Sequence, residues 1–259
     1  MVTYPTHGHV YDVIVVGAGL SGSEAAYACA RGGLDTLLVT TSLDTVYNTV
    51  GEVIRLNPPE GTLMDELWQA RAAGDREVRG DDAECISNWQ LHRAAKYALE
   101  RQEGLHLLQS NVSALLTDER GRVEGVQTWE GVPRWGRCVA LCVGSFLHAR
   151  LTVGELTEAA GRLSEMAYDE LYQDLMARQV PFKDVTLSAD PVGGTLPYEV
   201  RCRVLELSGP AGDGFGVPGL PGLFAAGLCA RGYLPFEQAA LDGVRLARAL
   251  LAVRSERRA

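Results

Sequence analysis

Residues Asp12–Gly33 read DVIVVGAGLSGSEAAYACARGG, and no other stretch limits the fold so strongly. Asp12–Val16 is a short, apolar, β-branched run, the pattern of a buried strand. Gly17, Gly19 and Gly22 then spell G-x-G-x-x-G. Ser21–Arg31 has helical composition and ends at Gly32-Gly33. Thr36–Val39 is a second apolar run, so the motif sits in a complete βαβ unit. Each glycine has a task. Gly17 permits the tight turn out of the strand, Gly19 lets the backbone approach a pyrophosphate, and Gly22 lets the helix pack close to the strand. The phosphates would meet the free N–H groups and positive dipole end of the helix. Gly17, Ala18, Gly19, Leu20, Ser21 and Gly22 are therefore the expected pyrophosphate-binding residues. A lone glycine motif is weak and can be only a tight structural turn; its place between strand and helix makes dinucleotide binding the expectation.

The 259 residues allow one large or two small domains, and 46% hydrophobic content suffices for a real core. The reading here is a single domain over residues 1–259, with a nucleotide-binding core in 11–150 and 222–253 and a smaller region in 151–221. No apolar run reaches the roughly 18 residues of a membrane span, and MVTYPTHGHVYD lacks the basic and apolar regions of a signal peptide. A cytoplasmic protein without membrane contact is expected. The net charge of −9 argues against a broad polyanion surface. The six cysteines show no C-x-x-C spacing and read as reduced, mostly buried thiols; the five histidines form no H-x-x-x-H pattern, so no metal is expected.

Along the chain, residues 1–10 read as a loose arm. Residues 41–85 cross the mouth of the expected site, with a helix over Leu63–Ala73 and a polar, solvated stretch at Arg79–Glu84. Cys85–Gln102 reads as an amphipathic helix with Trp89, His92, Ala95 and Leu99 at compatible spacings, and Leu105–Gln109 as a strand. Val112–Thr117, Val123–Trp129 and Trp135–Ala140, separated by glycine-containing turns, predict a β-meander. Val139–Gly144 is a strand ending in glycine. Leu163–Arg178 reads as a helix with Leu171, Leu175 and Met176 on its apolar face. Thr186–Ser188 and Arg201–Leu207 are strand candidates. Gly222–Gly227, GLFAAG, is a third glycine-terminated strand, followed by a long helix over Phe236–Val253 and a basic, fraying tail.

This order, a glycine-motif βαβ unit, a meander, a glycine-terminated strand and a terminal strand–helix return, describes the FAD-binding domain of two-dinucleotide-binding-type flavoproteins. The fold class expected is α/β and Rossmann-like, with a parallel sheet, a β-meander and flanking helices. The resemblance extends to motifs. Gly17, Gly19, Gly22, Glu24, Ala25 and Ala26 match the G-x-G-x-A-G-x-E-A-A pattern of the glucose-inhibited division protein A family (GidA or MnmG), with Ser21 in place of alanine. The related folate-dependent tRNA methyltransferase TrmFO opens similarly. Thr36–Asp44 is similar to the family's second strand and loop, Leu141–Leu147 (LCVGSFL) resembles its TTGTFL stretch, and Leu223–Gly243 resembles its C-terminal FAD motif through Glu237, Ala239, Ala240 and Gly243. In its length the chain resembles the short GidA-related flavoproteins, which consist of little more than the FAD domain.

The resemblance implies FAD as cofactor. Thr40, Thr41 and Ser42 stand where many dinucleotide folds carry a ribose-binding acid, and hydroxyls and backbone would replace it. Val112 would contact adenine through its backbone. Gly144 and Ser145 would lie near the nucleotide, and Gly227, Leu228, Glu237 and Gln238 near the flavin end, with helix capping as the alternative role of Glu237. Full-length GidA adds an NADH-binding region and a helical C-terminal region, and modifies wobble uridine in tRNA with a GTPase partner. Those regions are not expected here, and the family's active-site cysteine has no counterpart in Thr45–Gly61. Cys229, beside the expected flavin edge, reads as a small packed residue or a redox thiol. The leading expectation is an FAD-dependent oxidoreductase, reduced by NADH or NADPH, with a protein partner and no extended tRNA surface of its own. The alternatives are a non-catalytic FAD-binding partner or scaffold of a tRNA-modification complex, and an NAD-dependent Rossmann dehydrogenase.

Overall fold

The computed structural model describes residues 8–49, 53–74, 85–167, 169–189, 196–207 and 214–258. The chain opens with β1 (Val10–Tyr11), β2 (Val13–Val16), α1 (Leu20–Arg31) and β3 (Thr36–Thr40). Next come β4 (Val53–Arg55), α2 (Leu63–Gly74), β5 (Cys85–Ser87) and α3 (Asn88–Arg101). β6 (Leu105–Gln109), β7 (Val112–Thr117), β8 (Val123–Thr128), β9 (Pro133–Gly136) and β10 (Val139–Leu141) follow. A second block holds β11 (Arg150–Val153), β12 (Leu156–Glu158), β13 (Ala160–Arg162), β14 (Glu165–Met166), α4 (Glu170–Ala177), β15 (Phe182–Ala189) and β16 (Tyr198–Leu205). The chain returns through β17 (Leu223–Ala225), α5 (Leu228–Arg231) and α6 (Phe236–Arg258).

The central sheet is parallel throughout, in the order β17-β10-β2-β3-β6. Both its faces are covered, as parallel sheets require. In β2, Val13 and Val15 pack toward α1, α3 and α6, while Ile14 and Val16 pack toward the meander and α4. The meander forms a second sheet, β1-β9-β8-β7, with β1 added parallel to β9. A third, antiparallel sheet, β12-β11-β16-β15, comes entirely from residues 150–205 and has its own small apolar cluster around Leu151, Val200, Cys202 and Val204.

Glycines set the closest approaches. Gly17 has φ +101°, and a Cβ on Gly22 would lie 1.8 Å from the Gly17 carbonyl oxygen. A Cβ on Gly243 would lie 2.3 Å from the Ser21 carbonyl oxygen, so α6 can seat against α1 only with glycine there.

Several elements differ from the sequence expectation. Cys85–Ser87 pairs with β4, and the helix starts at Asn88 behind a capping box of Ser87 and Gln90. Its buried face is Leu91, Ala95 and Leu99; Trp89, placed on that face by spacing alone, is 63% exposed, with the Arg93 guanidinium over its ring. Trp135–Ala140 is two strands: β9 belongs to the meander and β10 to the parallel sheet. The helix expected over Leu163–Arg178 covers only Glu170–Ala177, preceded by the β13–β14 pair; Leu171 and Leu175 are buried, but Met176 is exposed. The strands expected at Thr186–Ser188 and Arg201–Leu207 are Phe182–Ala189 and Tyr198–Leu205, paired over eight residues. Helix α6 continues through Arg258, past the expected fraying point. Residues 79–84 lie outside the described residues, as does most of the N-terminal arm. No helix among the described residues is long and apolar enough to cross a membrane.

One buried side chain ties α1 to the segment after β3. Glu24 is 1% exposed. It accepts hydrogen bonds from the Tyr47 hydroxyl (2.5 Å) and from the backbone N–H groups of Leu63 (2.7 Å) and Met64 (2.9 Å), at the start of α2. A carboxylate there satisfies helix-end donors and complements the dipole. Tyr47 is itself fully buried at φ 57°, its N–H donating to the Ala18 carbonyl at 2.7 Å. Burial raises the Glu24 carboxyl from 4.5 to about 7, although its hydrogen bonds pull the other way.

Stability should therefore depend on pH through this group. Because the folded state holds the Glu24 proton to higher pH than the unfolded chain, its contribution is fully present below about pH 4.5 and is lost as pH rises through about 7. The loss amounts to about 3 kcal/mol; denaturant titrations across this range will show the slope, and Glu24→Gln will flatten it. Gly243→Ala will cost about 1–3 kcal/mol by overpacking α1 against α6, measured as a lower denaturant midpoint with an unchanged slope.

Candidate functional site

A cleft of about 370 Å³ opens at the C-terminal ends of the parallel strands, the place where open α/β sheets bind ligands. Its first wall is the central sheet's rim. The turn Gly17–Ser21 follows β2, Thr40 and Thr41 end β3, Val112 begins β7, Gly144 and Ser145 follow β10, and Gly227 and Leu228 follow β17. Helix α1 enters this wall by its N-terminus. No side chain caps it, and its first turn carries no acid, so its free N–H groups can receive an anion. A Cβ placed on Gly19 meets no atom within 4 Å, in contrast to those on Gly17 and Gly22. The protein's own packing does not demand glycine at position 19; the open space above it belongs to the cleft.

The second wall comes from residues 146–200. Phe146, Gly161, Met166, Leu187, Tyr198 and Val200 make it apolar, and Tyr233 and Leu234 close it from the other side. Arg162 and Glu165 are the two charged residues on the wall. Arg162 donates from Nε and Nη2 to Glu165 (2.5 and 2.8 Å) and from Nη1 to the Asn48 carbonyl (3.2 Å). Asn48 and Thr49 also line the cleft. Asn88 joins them: its Oδ1 accepts from the Thr49 N–H and hydroxyl (3.0 and 2.8 Å), and its Nδ2 donates to Asn48 Oδ1 at 2.8 Å. The Ser145 hydroxyl donates to the Gly161 carbonyl at 2.7 Å and thereby links the two walls.

Twelve of the residues singled out from the sequence lie on the cleft: Gly17, Ala18, Gly19, Leu20, Ser21, Thr40, Thr41, Val112, Gly144, Ser145, Gly227 and Leu228. Four do not. Gly22 is buried beneath the turn against Gly17. The Ser42 hydroxyl accepts from the Asp44 N–H and caps a short 3₁₀ turn. Glu237 accepts from the Asn57 N–H at 3.1 Å, holding the crossing loop rather than facing the cleft, and Gln238 is exposed beside it. The sequence reading also missed Asn48, Thr49, Arg162, Glu165, Tyr198 and Tyr233, which carry no motif in the sequence; they come to the cleft from the crossing loop, the β13–β14 hairpin, the third sheet and the α5–α6 loop, which only the tertiary fold brings together. It missed Asp242 as well: this carboxylate is 7% exposed, accepts from the Gly227 N–H at 2.7 Å and lies 3.5 Å from Arg231 Nε. The acid sits in the very LDG stretch compared with the FAD motif.

Cys142 and Cys229 are not poised for chemistry. Cys229 has no exposed surface, donates to the Leu141 and Ala226 carbonyls, and is pushed up to about 12 by burial. Cys142, under the glycine turn, is raised well above the ordinary thiol value for the same reason. Both are packing residues. Among the described residues, no group of three or more His, Cys, Asp or Glu side chains is arranged to hold a metal ion.

Comparison with known proteins gives a consistent picture. The tRNA uridine 5-carboxymethylaminomethyl modification enzyme MnmG of Chlamydia felis is 30% identical over 230 residues, which covers 81% of this chain and 37% of that protein. The chain thus spans well under half the length of this curated relative. The crystal structure of the GidA-related protein from Thermus thermophilus superposes with a TM-score of 0.79 at 35% identity, covering 95% of this chain and 100% of that one. GidA of Aquifex aeolicus shares the fold at a TM-score of 0.71 and 16% identity, over 93% of this chain and 63% of its own. Residues 12–190 match the family described as Glucose inhibited division protein A, more than half of the sequence, and the chain belongs to that family.

Proposed function

We propose that the chain is an FAD-binding flavoprotein and that it acts as an oxidoreductase in the chemistry of tRNA uridine modification, the activity named for its MnmG relative. The observation that carries the cofactor is the contrast among three glycines. Gly17 and Gly22 are required by backbone contacts inside the protein; Gly19 borders open space at an uncapped helix N-terminus. That combination fits a pyrophosphate, whose charge meets the helix dipole and whose bulk needs a residue without a side chain.

On this reading Leu20 and Ser21 present backbone N–H groups to the phosphates. Thr40 and Thr41 offer hydroxyl and backbone groups to the adenosine ribose, and the Val112 backbone borders the adenine. Gly144, Ser145, Gly227 and Leu228 frame the flavin end, with Asp242 fixing the Gly227 turn. The bound flavin would supply two-electron acceptance from a nicotinamide reductant. The apolar wall of Phe146, Tyr198 and Leu187 excludes water from that end, while Arg162, paired with Glu165 and held to Asn48, offers fixed guanidinium N–H donors. A second reading, a non-catalytic FAD-binding partner or scaffold, is favoured by the burial of Cys142 and Cys229 and by the lack of any cysteine in residues 45–61.

Purified protein, or protein mixed with FAD, is expected to show the visible bands of bound oxidised flavin; a colourless protein with no FAD affinity would overturn the proposal. Gly19→Val is expected to weaken FAD binding at least about a hundredfold, close to 3 kcal/mol, while costing the fold no more than about 1 kcal/mol at this helix-cap position. Anaerobic NADH or NADPH is expected to bleach the flavin bands. A flavin that no reductant bleaches would favour the scaffold reading.

A further inference from the structure

A second cavity, of about 230 Å³, lies at the end of the parallel sheet opposite the cleft. It sits where β2 begins, where the chain enters β10, and where the last turns of α6 pass. Leu34, Leu250 and Val253 form its apolar side; Asp12, Arg137 and Arg254 form its polar side, with Cys138 between.

The polar side is cationic in a chain of net charge −9. Two guanidinium groups face one carboxylate. Arg137 Nε is 3.5 Å from Asp12 Oδ1, and Arg254 Nη2 is 3.4 Å from Asp12 Oδ2. A third, Arg122, donates from Nη2 to the Arg137 carbonyl at 3.3 Å. The Arg254 pair is longer than the roughly 2.7–2.9 Å of a charge-assisted hydrogen bond, so Asp12 alone does not saturate this guanidinium. Asp12 is also engaged by the Asp35 N–H at 3.2 Å. Arg254 is held from the far side, where Nη1 donates to the Gly33 carbonyl. Its Nε, by contrast, is buried and has no hydrogen-bond partner. A buried donor on a charged group without an acceptor is costly and calls for one.

We propose that this cavity is a binding site for a small oxyanion, a phosphate or a short organic carboxylate, recognised by Arg254 with Arg137 adding charge beside it. The oxyanion accepts from Arg254 Nε, its charge complements the Arg254 guanidinium, and any alkyl portion lies against Leu34, Leu250 and Val253. The volume holds several waters' worth of ligand, at roughly 30 Å³ each. The site is independent of the dinucleotide cleft, since the central sheet's strands run between them.

The test uses the full chain saturated with FAD, which occupies the other anion-binding position. Calorimetric titration with sodium phosphate, and separately with sodium butyrate, at constant chloride is expected to give saturable one-to-one binding of at least one of them. The stronger binder identifies the source, phosphate or carboxylate. Arg254→Met is expected to weaken that binding at least about tenfold. In parallel, the Arg254 Nε–H resonance of ¹⁵N-labelled wild-type protein is expected to shift along the same saturation curve. This measurement needs no variant, and it separates this site from the Gly19 turn even if the protein takes up no FAD. No saturable binding of either anion, binding unchanged in Arg254→Met, or an Nε–H resonance that stays fixed during binding would overturn the proposal.

Discussion

A carboxylate without solvent carries the link between the glycine turn and the loop that crosses the cleft. Glu24 stands on α1, one turn beyond Gly19, and gathers the Tyr47 hydroxyl and the first N–H groups of α2. Tyr47 in turn is hydrogen-bonded to Ala18. Its neighbours Asn48 and Thr49 form one flank of the site. Removing the carboxylate would leave a phenol and two helix-end donors buried without acceptors, each at a cost of about 1–3 kcal/mol. The same burial keeps the group near the border of ionisation at neutral pH. The segment that crosses the cleft after β3 is therefore a part of the frame that α1 organises.

The sequence was most informative where one residue type answers one local demand. Gly17 and Gly22 mark a turn and a close approach that no other residue fits, and the apolar runs of β2, β3 and β10 mark strands covered on both faces. It was least informative where the partner is distant. The two-residue gap at Arg137-Cys138 moves the chain from one sheet to another, and periodicity carries no trace of that step. Trp89 and Met176 have apolar side chains at helical spacing yet face solvent, since spacing gives the face of a helix and not what packs on it. Arg162 is tied to the cleft by its hydrogen bond to the distant Asn48 carbonyl, and Tyr198 is placed by the register of the long β15–β16 ladder. Glu237 shows the converse: it sits within a recognisable motif, but its carboxylate holds the Asn57 backbone.

Family membership and physical reading bear on different questions. The match over residues 12–190 establishes ancestry. The open space at Gly19, the uncapped helix and the apolar far wall concern what this chain can hold. Burial holds the Cys229 thiol up to about 12, so it offers almost no thiolate at neutral pH. Any covalent step would have to draw its nucleophile from elsewhere than Cys142 or Cys229.

The contact between Ser145, Phe146 and Gly161 has a mechanical consequence. A Cβ on Gly161 would lie 2.5 Å from the Phe146 ring, and the Ser145 hydroxyl bonds to the Gly161 carbonyl. The sheet rim and the β13–β14 hairpin are thus latched at a point with no side chain on one partner. The gap between the walls is set there as the width of a jaw is set by its hinge pin. A bulkier residue at position 161 would meet the Phe146 ring inside the far wall, push that ring out of place and so alter the shape of what the cleft grips.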